Sequence, residues 1–217
     1  MKKNLLLLPV LLLLLISCNS DDNEEGDSTY SYLCAEFVEA HAAAISEIDR
    51  VTTDDGELLI LSRRMNVSWA QKADTVYRAL FYYNKVENID GTVTPISLSR
   101  VFVLKGKDAT EFEEEVKTDP LKVESAWLSK GKAYLNVGLL LKTGVADDAD
   151  AIQSLGLVLV SETDTDLTLR LYHDQGGVPQ YYTSRAYVSI PLTAAQQVKT
   201  IHLLVNTYDG ELERIFN

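Results

Sequence analysis

Turn chemistry constrains this chain more than any other feature. Asp55-Gly56, Asp90-Gly91, Gly176-Gly177 and Asp209-Gly210 are dipeptides that accept positive φ, the backbone geometry a tight hairpin requires. Between them lie runs of roughly 5 to 10 residues rich in Val, Ile, Thr, Tyr and Phe, the side chains that suit a pleated, half-buried surface. Leu167, Leu169 and Leu171 alternate with Thr168, Arg170 and Tyr172, as they would in a sheet with one wet face. The fold class expected is all-β. Of the 217 residues 46% are hydrophobic, enough for a sizeable core, whereas 2 Cys cannot make a disulfide framework.

Residues 32–107 parse into five strands, over Leu33 to Ala43, Ile45 to Thr53, Glu57 to Ser62, Thr75 to Val86 and Thr94 to Leu104. That count suits a small OB-like β-barrel domain. Residues 122–217 hold further strands from Val123 to Tyr208 and fit an antiparallel β-sandwich domain. Residues 108–121 read as a short connecting helix and linker: Asp108 can cap it, Phe112 and Val116 share a side, Glu113 meets Lys117 at i,i+4, and Asp119-Pro120 stops it.

The first residues are an address rather than part of the fold. Lys2 and Lys3 precede an apolar run from Leu5 to Ile16, broken only by Pro9, and Ser17-Cys18 closes it. As a helix the run reaches roughly 18 Å, short of the ~30 Å hydrocarbon core, so it reads as an export signal and not a span. Leu15-Ile16-Ser17-Cys18 resembles the lipobox of bacterial lipoproteins. The resemblance implies that residues 1–17 are a signal peptide and that Cys18 is the lipid attachment site, with membrane lipid as a partner. Residues 18–31 then form an acidic, flexible tether: Asn19 to Ser28 holds five acids and no base. Acids just behind an acylated Cys resemble the surface-export signal of Bacteroidetes lipoproteins and imply the outer membrane; their other reading is a linker kept extended by its own charge. With Cys18 acylated, Cys34 has no partner within the chain, and its apolar flanks suggest a buried, inert thiol.

A formal net charge of −12 argues against nucleic acid as a partner, because phosphates would be repelled. Residues 32–107 carry only −1 and residues 108–217 carry −8, so an anion or sugar would find Arg63, Arg64 and Arg78 most accessible on the first block. Trp69, Tyr77, Phe81, Tyr82 and Tyr83 gather there too, either as barrel filling or as a ligand platform. Trp69, Arg63 and Arg64 are therefore the candidate ligand-binding residues. Nucleophile elbows, P-loops and paired metal-binding histidines are absent, so no catalytic residue, metal site or cofactor is expected. Asp147, Asp148 and Asp150, like Glu162, Asp164 and Asp166, read as solvated turns rather than calcium ligands, and His41, His173 and His202 as surface or packing residues.

One series of residues is more specific. Asp119-Pro120-Leu121-Lys122-Val123-Glu124-Ser125-Ala126-Trp127 is followed by Tyr134-Leu135-Asn136-Val137, then Leu169-Arg170-Leu171-Tyr172-His173-Asp174, Gly177-Val178-Pro179-Gln180 and Asp209-Gly210. The series resembles the NigD-like lipoproteins of Bacteroidales. The resemblance implies an OB-like barrel before a β-sandwich and a bacteriocin-immunity or accessory role without catalysis, through an unidentified protein or peptide partner. The alternative partner is a surface glycan. Trp127 is expected to serve as a core or inter-domain anchor.

Overall fold

The computed structural model describes residues 32–111 and 116–217. The expected signal peptide, Cys18, the tether and residues 112–115 of the expected helix lie outside the described residues.

Five strands form a closed barrel: β1 (Leu33–Ala44), β2 (Glu47–Thr53), β3 (Leu58–Asn66), β4 (Thr75–Glu87) and β5 (Val93–Arg100), in the order β1-β2-β3-β5-β4. Alternation decides what fills it. Val38, Ala40 and Ala42 of β1 point inward with Ala79, Phe81 and Tyr83 of β4, all of them buried. The Phe81 and Tyr83 rings stack at 4.8 Å, so this part of the aromatic group is barrel filling. Gly56 and Gly91 take φ of 84° and 77° in the turns after β2 and β4, where a side chain would be strained. Strand β1 pairs with β4 along Leu33 to Ala42 but with β2 only from Val38 onward.

The rest of the chain builds two stacked sheets from β6 (Phe102–Val103), β7 (Gly106–Asp108), β8 (Lys122–Leu128), β9 (Tyr134–Thr143), β10 (Ser154–Glu162), β11 (Asp166–Asp174), β12 (Tyr182–Pro191), β13 (Thr200–Thr207) and β14 (Gly210–Phe216). One sheet has the order β14-β13-β11-β10-β7 and the other β6-β12-β9-β8. Leu135, Val137, Leu139, Val188 and Ile190 meet Leu157, Leu167, Leu169, Leu171, Ile201, Leu203 and Val205 in a continuous core. The sandwich is mixed rather than purely antiparallel, because β6–β12, β7–β10 and β11–β13 pair in parallel.

One expectation about the connection changes. Phe102–Val103 and Gly106-Lys107, read from the sequence as the end of the barrel block, hydrogen-bond into the sandwich sheets, and Asp108, read as the start of the linker, pairs there with them. Asp108 ends β7 and directly precedes a 3-10 turn over Ala109–Glu111, its N–H donating to Glu111 Oε1 at 3.1 Å, and Thr118 is bridged to His173; the stretch between, residues 112–115, lies outside the described residues. The edge of β10 offers backbone partners to Gly106–Asp108, which lie against Leu157, Leu159 and Leu169 there.

Candidate functional site at the domain seam

On β4 the residues between the inward ones, Arg78, Leu80 and Tyr82, face away from the barrel. Arg78 is nevertheless only 4% exposed. It is covered by the outer face of the sheet β6-β12-β9-β8, whose strand β9 is buried from Leu135 to Leu139 on both of its faces.

The guanidinium is held from both bodies. It donates end-on to Asp54 of the β2–β3 turn, Nη1 to Oδ1 at 2.5 Å and Nη2 to Oδ2 at 2.8 Å, and across the seam to Asn136 Oδ1 and Ser189 Oγ, each at 3.2 Å. Its plane lies 4.0 Å from the Tyr134 ring centre and 5.5 Å from that of Phe37. Tyr134 donates in turn to Glu39 of β1 at 2.8 Å, and burial followed by that hydrogen bond pushes its hydroxyl pKa up to about 12. Ser189 donates to Asn136 Oδ1 at 2.6 Å, so this oxygen takes two donors, while among the described residues Nδ2 of the fully buried Asn136 has no acceptor. The donors from Arg78 and Ser189 fix which arm of the amide is oxygen.

Aromatic rings close the seam around this cation. Phe37 meets Trp127 at 5.2 Å and Tyr187 at 5.5 Å, both edge to face. Tyr187 can lie there because Gly138 beneath it lacks a side chain: a Cβ would sit 3.1 Å from the Tyr187 ring and 2.6 Å from Ser125 Oγ. Lys130 adds an exposed pair to Asp55 at 2.7 Å. Trp127 is thus an inter-domain anchor.

Beside the seam opens a cleft of about 370 Å³ lined by Ala35, Glu36, Phe37, Asp54, Asp55 and Trp127. Tyr83 donates to Glu36 at 3.1 Å, and burial, then the Glu36 charge, raise the tyrosine pKa far above its ordinary value. Glu57 closes the β2–β3 turn, accepting from the Thr53 N–H at 2.9 Å through its carbonyl, which makes it the fourth acid at this end of the barrel with Glu36, Asp54 and Asp55.

The residues singled out from sequence lie elsewhere. Trp69 packs against the barrel core with its ring 5.7 Å from Tyr77. Arg63 donates to the Pro95 carbonyl at 3.3 Å, and Arg64 pairs with Glu47 at 2.6 Å on the surface. Arg78 corrects the reading most: the presumed surface cation is the buried centre of the seam. Glu162 pairs with Lys199 at 2.8 Å, and Asp166 accepts from His202. His173 is buried between Gln153 and the Asp119 carbonyl.

The fold is thus a closed five-stranded barrel packed on a β-sandwich, with a buried arginine between them. Residues 103–217, more than half of the chain, match the model of the NigD-like C-terminal beta sandwich domain, and the chain belongs to the NigD-like family. It is similar to the structure of a NigD-like immunity protein from Bacteroides caccae, with 29% identity and a TM-score of 0.64 over 83% of this chain and 91% of that one. A Bacteroides vulgatus protein of unknown function shares the fold at 20% identity and a TM-score of 0.64, covering 85% of this chain and 90% of that one. So does a candidate lipoprotein from Bacteroides fragilis, at 12% identity and a TM-score of 0.57 over 85% and 96%. Among the curated proteins none matches.

Proposed function

We propose that this is a non-catalytic envelope lipoprotein that binds a protein partner at the face where barrel and sandwich meet, in an immunity or accessory role. The observation that carries the reading is the sealed seam. Arg78, Phe37 and Trp127 fix two bodies against one another, and the cleft beside them takes its walls from both. A rigid, two-sided surface loses little conformational entropy when a partner docks. The similar Bacteroides caccae structure is named a NigD-like immunity protein, which supports the immunity role. The lipobox-like Leu15-Ile16-Ser17-Cys18 supports acylation at Cys18, and the acidic residues after it support the outer membrane.

Two measurements test this. Mass spectrometry of the mature chain is expected to find an acylated Cys18, and Cys18→Ala to move the protein out of the membrane fraction; an unmodified amino terminus overturns the anchor. A photo-crosslinker placed at Ala35 in cells is expected to give a protein adduct of discrete mass that is missing with the crosslinker at Val198. Adducts with glycan alone, or identical adducts at both positions, overturn the protein-binding reading.

A further inference from the structure

The cleft has one wall that is not a side chain. From Leu33 to Phe37, β1 is paired with β4 on one edge only, since its pairing with β2 begins at Val38. Among the described residues the other edge of this stretch has no strand partner, and in an antiparallel ladder alternate residues turn their N–H and C=O groups toward that side. Ala35, Glu36 and Phe37 are the β1 residues that line the cleft. An edge bearing unpaired backbone groups is a template for another strand.

The surroundings say which strand. Glu36, Asp54, Asp55 and Glu57 stand around this edge, whereas the basic groups present, Arg78 and Lys130, are committed to Asp54 and Asp55. Neither Glu36 nor Glu57 has a basic partner among the described residues, which leaves about two uncompensated negative charges. Trp127 stands across the cleft from the strand edge as an apolar wall. Asn136 lies opposite Trp127 in the β8–β9 register and accepts from the guanidinium that holds Asp54, and among the described residues its buried Nδ2 has no acceptor.

We propose that the open edge of β1 at Leu33–Phe37 accepts an extended, basic segment of the partner protein as an added strand, with its lysine or arginine side chains at Glu36 and Glu57 and an apolar side chain against Trp127. This rests on the protein-binding reading above and names the surface and the chemistry of what docks there. Main-chain hydrogen bonds supply affinity, and the acids select charge.

The test uses the full mature chain and an acetylated, amidated hexapeptide of alternating lysine and valine. In a Trp69→Phe background the remaining tryptophan, Trp127, reports binding by fluorescence, and hydrogen exchange reports which amides gain protection. Saturable binding is expected, with protection concentrated at Leu33–Phe37. A hexapeptide of glutamate and valine, and a lysine peptide N-methylated at alternate residues, are each expected to bind at least about tenfold more weakly. The double variant Glu36→Gln, Glu57→Gln is expected to weaken the lysine peptide by a similar factor while keeping the wild-type melting profile. No saturation at millimolar peptide, equal binding of the glutamate peptide, protection at another edge, or a dimer formed by two β1 edges overturns the proposal. Retention of the Ala35 protein adduct when lysine peptide fails to bind leaves protein binding in place and removes strand addition alone.

Discussion

Asp54→Ala is predicted to destabilise the protein more than Arg78→Met, although the two residues form one ion pair. The Arg78 side chain is 1% exposed and that of Asp54 19%. Removing Asp54 leaves a guanidinium in the seam that keeps only the neutral acceptors Asn136 and Ser189 and two aromatic faces. Breaking a buried pair in this way costs about 3–5 kcal/mol, and the partial exposure of Asp54 lets water recover some of it, which places the cost near 3 kcal/mol. Arg78→Met removes the charge itself. Asp54 turns to solvent, Asn136 Oδ1 retains the Ser189 hydroxyl, and the thioether stem fills much of the space, for a cost of about 1–2 kcal/mol. The double variant is predicted to lie close to Arg78→Met, a coupling of about 2 kcal/mol or more. Urea denaturation followed separately by Trp69 in the barrel and Trp127 at the seam measures all four corners. Coincident transitions are expected for the native chain and separated ones for Asp54→Ala. An Asp54→Ala cost below that of Arg78→Met would mean that the buried guanidinium does not depend on Asp54.

Further outcomes follow from the same contacts. Gly138→Ala is expected to destabilise by about 1–3 kcal/mol, because the new methyl meets Ser125 Oγ at 2.6 Å and displaces Tyr187 from Phe37; near-ultraviolet circular dichroism and melting report it. Trp127→Ala is expected to cost about 3 kcal/mol in chemical denaturation through loss of its packing on Phe37, and Trp127→Phe less than half of that. The Glu213 hydrogen bond and then Asp166 raise the His202 pKa, so its contribution is complete below the unfolded pKa and is lost as pH rises through the higher folded value. NMR titration of His202 is expected to give a pKa above the ordinary 6.5, and His202→Gln to remove the part of the stability decline that sets in as pH rises past the ordinary imidazole value. The Lys199 hydrogen bond first, then Gln196, hold the Glu162 carboxyl below its ordinary range, so its contribution is present above the unfolded pKa and is lost on acidification through the folded one; Glu162→Gln is expected to flatten the acid limb of the melting profile.

The all-β fold was legible because strand signals are local. The runs read as Leu33 to Ala43 and Thr75 to Val86 become Leu33–Ala44 and Thr75–Glu87. The turn at Asp209-Gly210 was legible too, but the strand after it was not, because Glu211, Glu213 and Arg214 leave the edge strand Gly210–Phe216 little apolar character. The seam was the hardest to read. Alternation along β4 places Arg78 outward, and nothing within one strand states that a second domain covers the outward face. A faint signal sits in β9, where Asn136 interrupts a strand that is otherwise apolar on both sides, the mark of a buried polar contact. The weighting toward Trp69, Arg63 and Arg64 followed residue type, whereas their structural roles follow from Tyr77, Pro95 and Glu47, partners remote in sequence.

Barrel and sandwich form one body held by Arg78. Spin labels on Ile89→Cys in the barrel and Val198→Cys in the sandwich, both fully solvent-facing positions, in a Cys34→Ser background, measure it directly by pulsed electron resonance. A single narrow distance distribution is expected for the native seam, with broadening in Asp54→Ala. A broad distribution in the native seam would contradict the account.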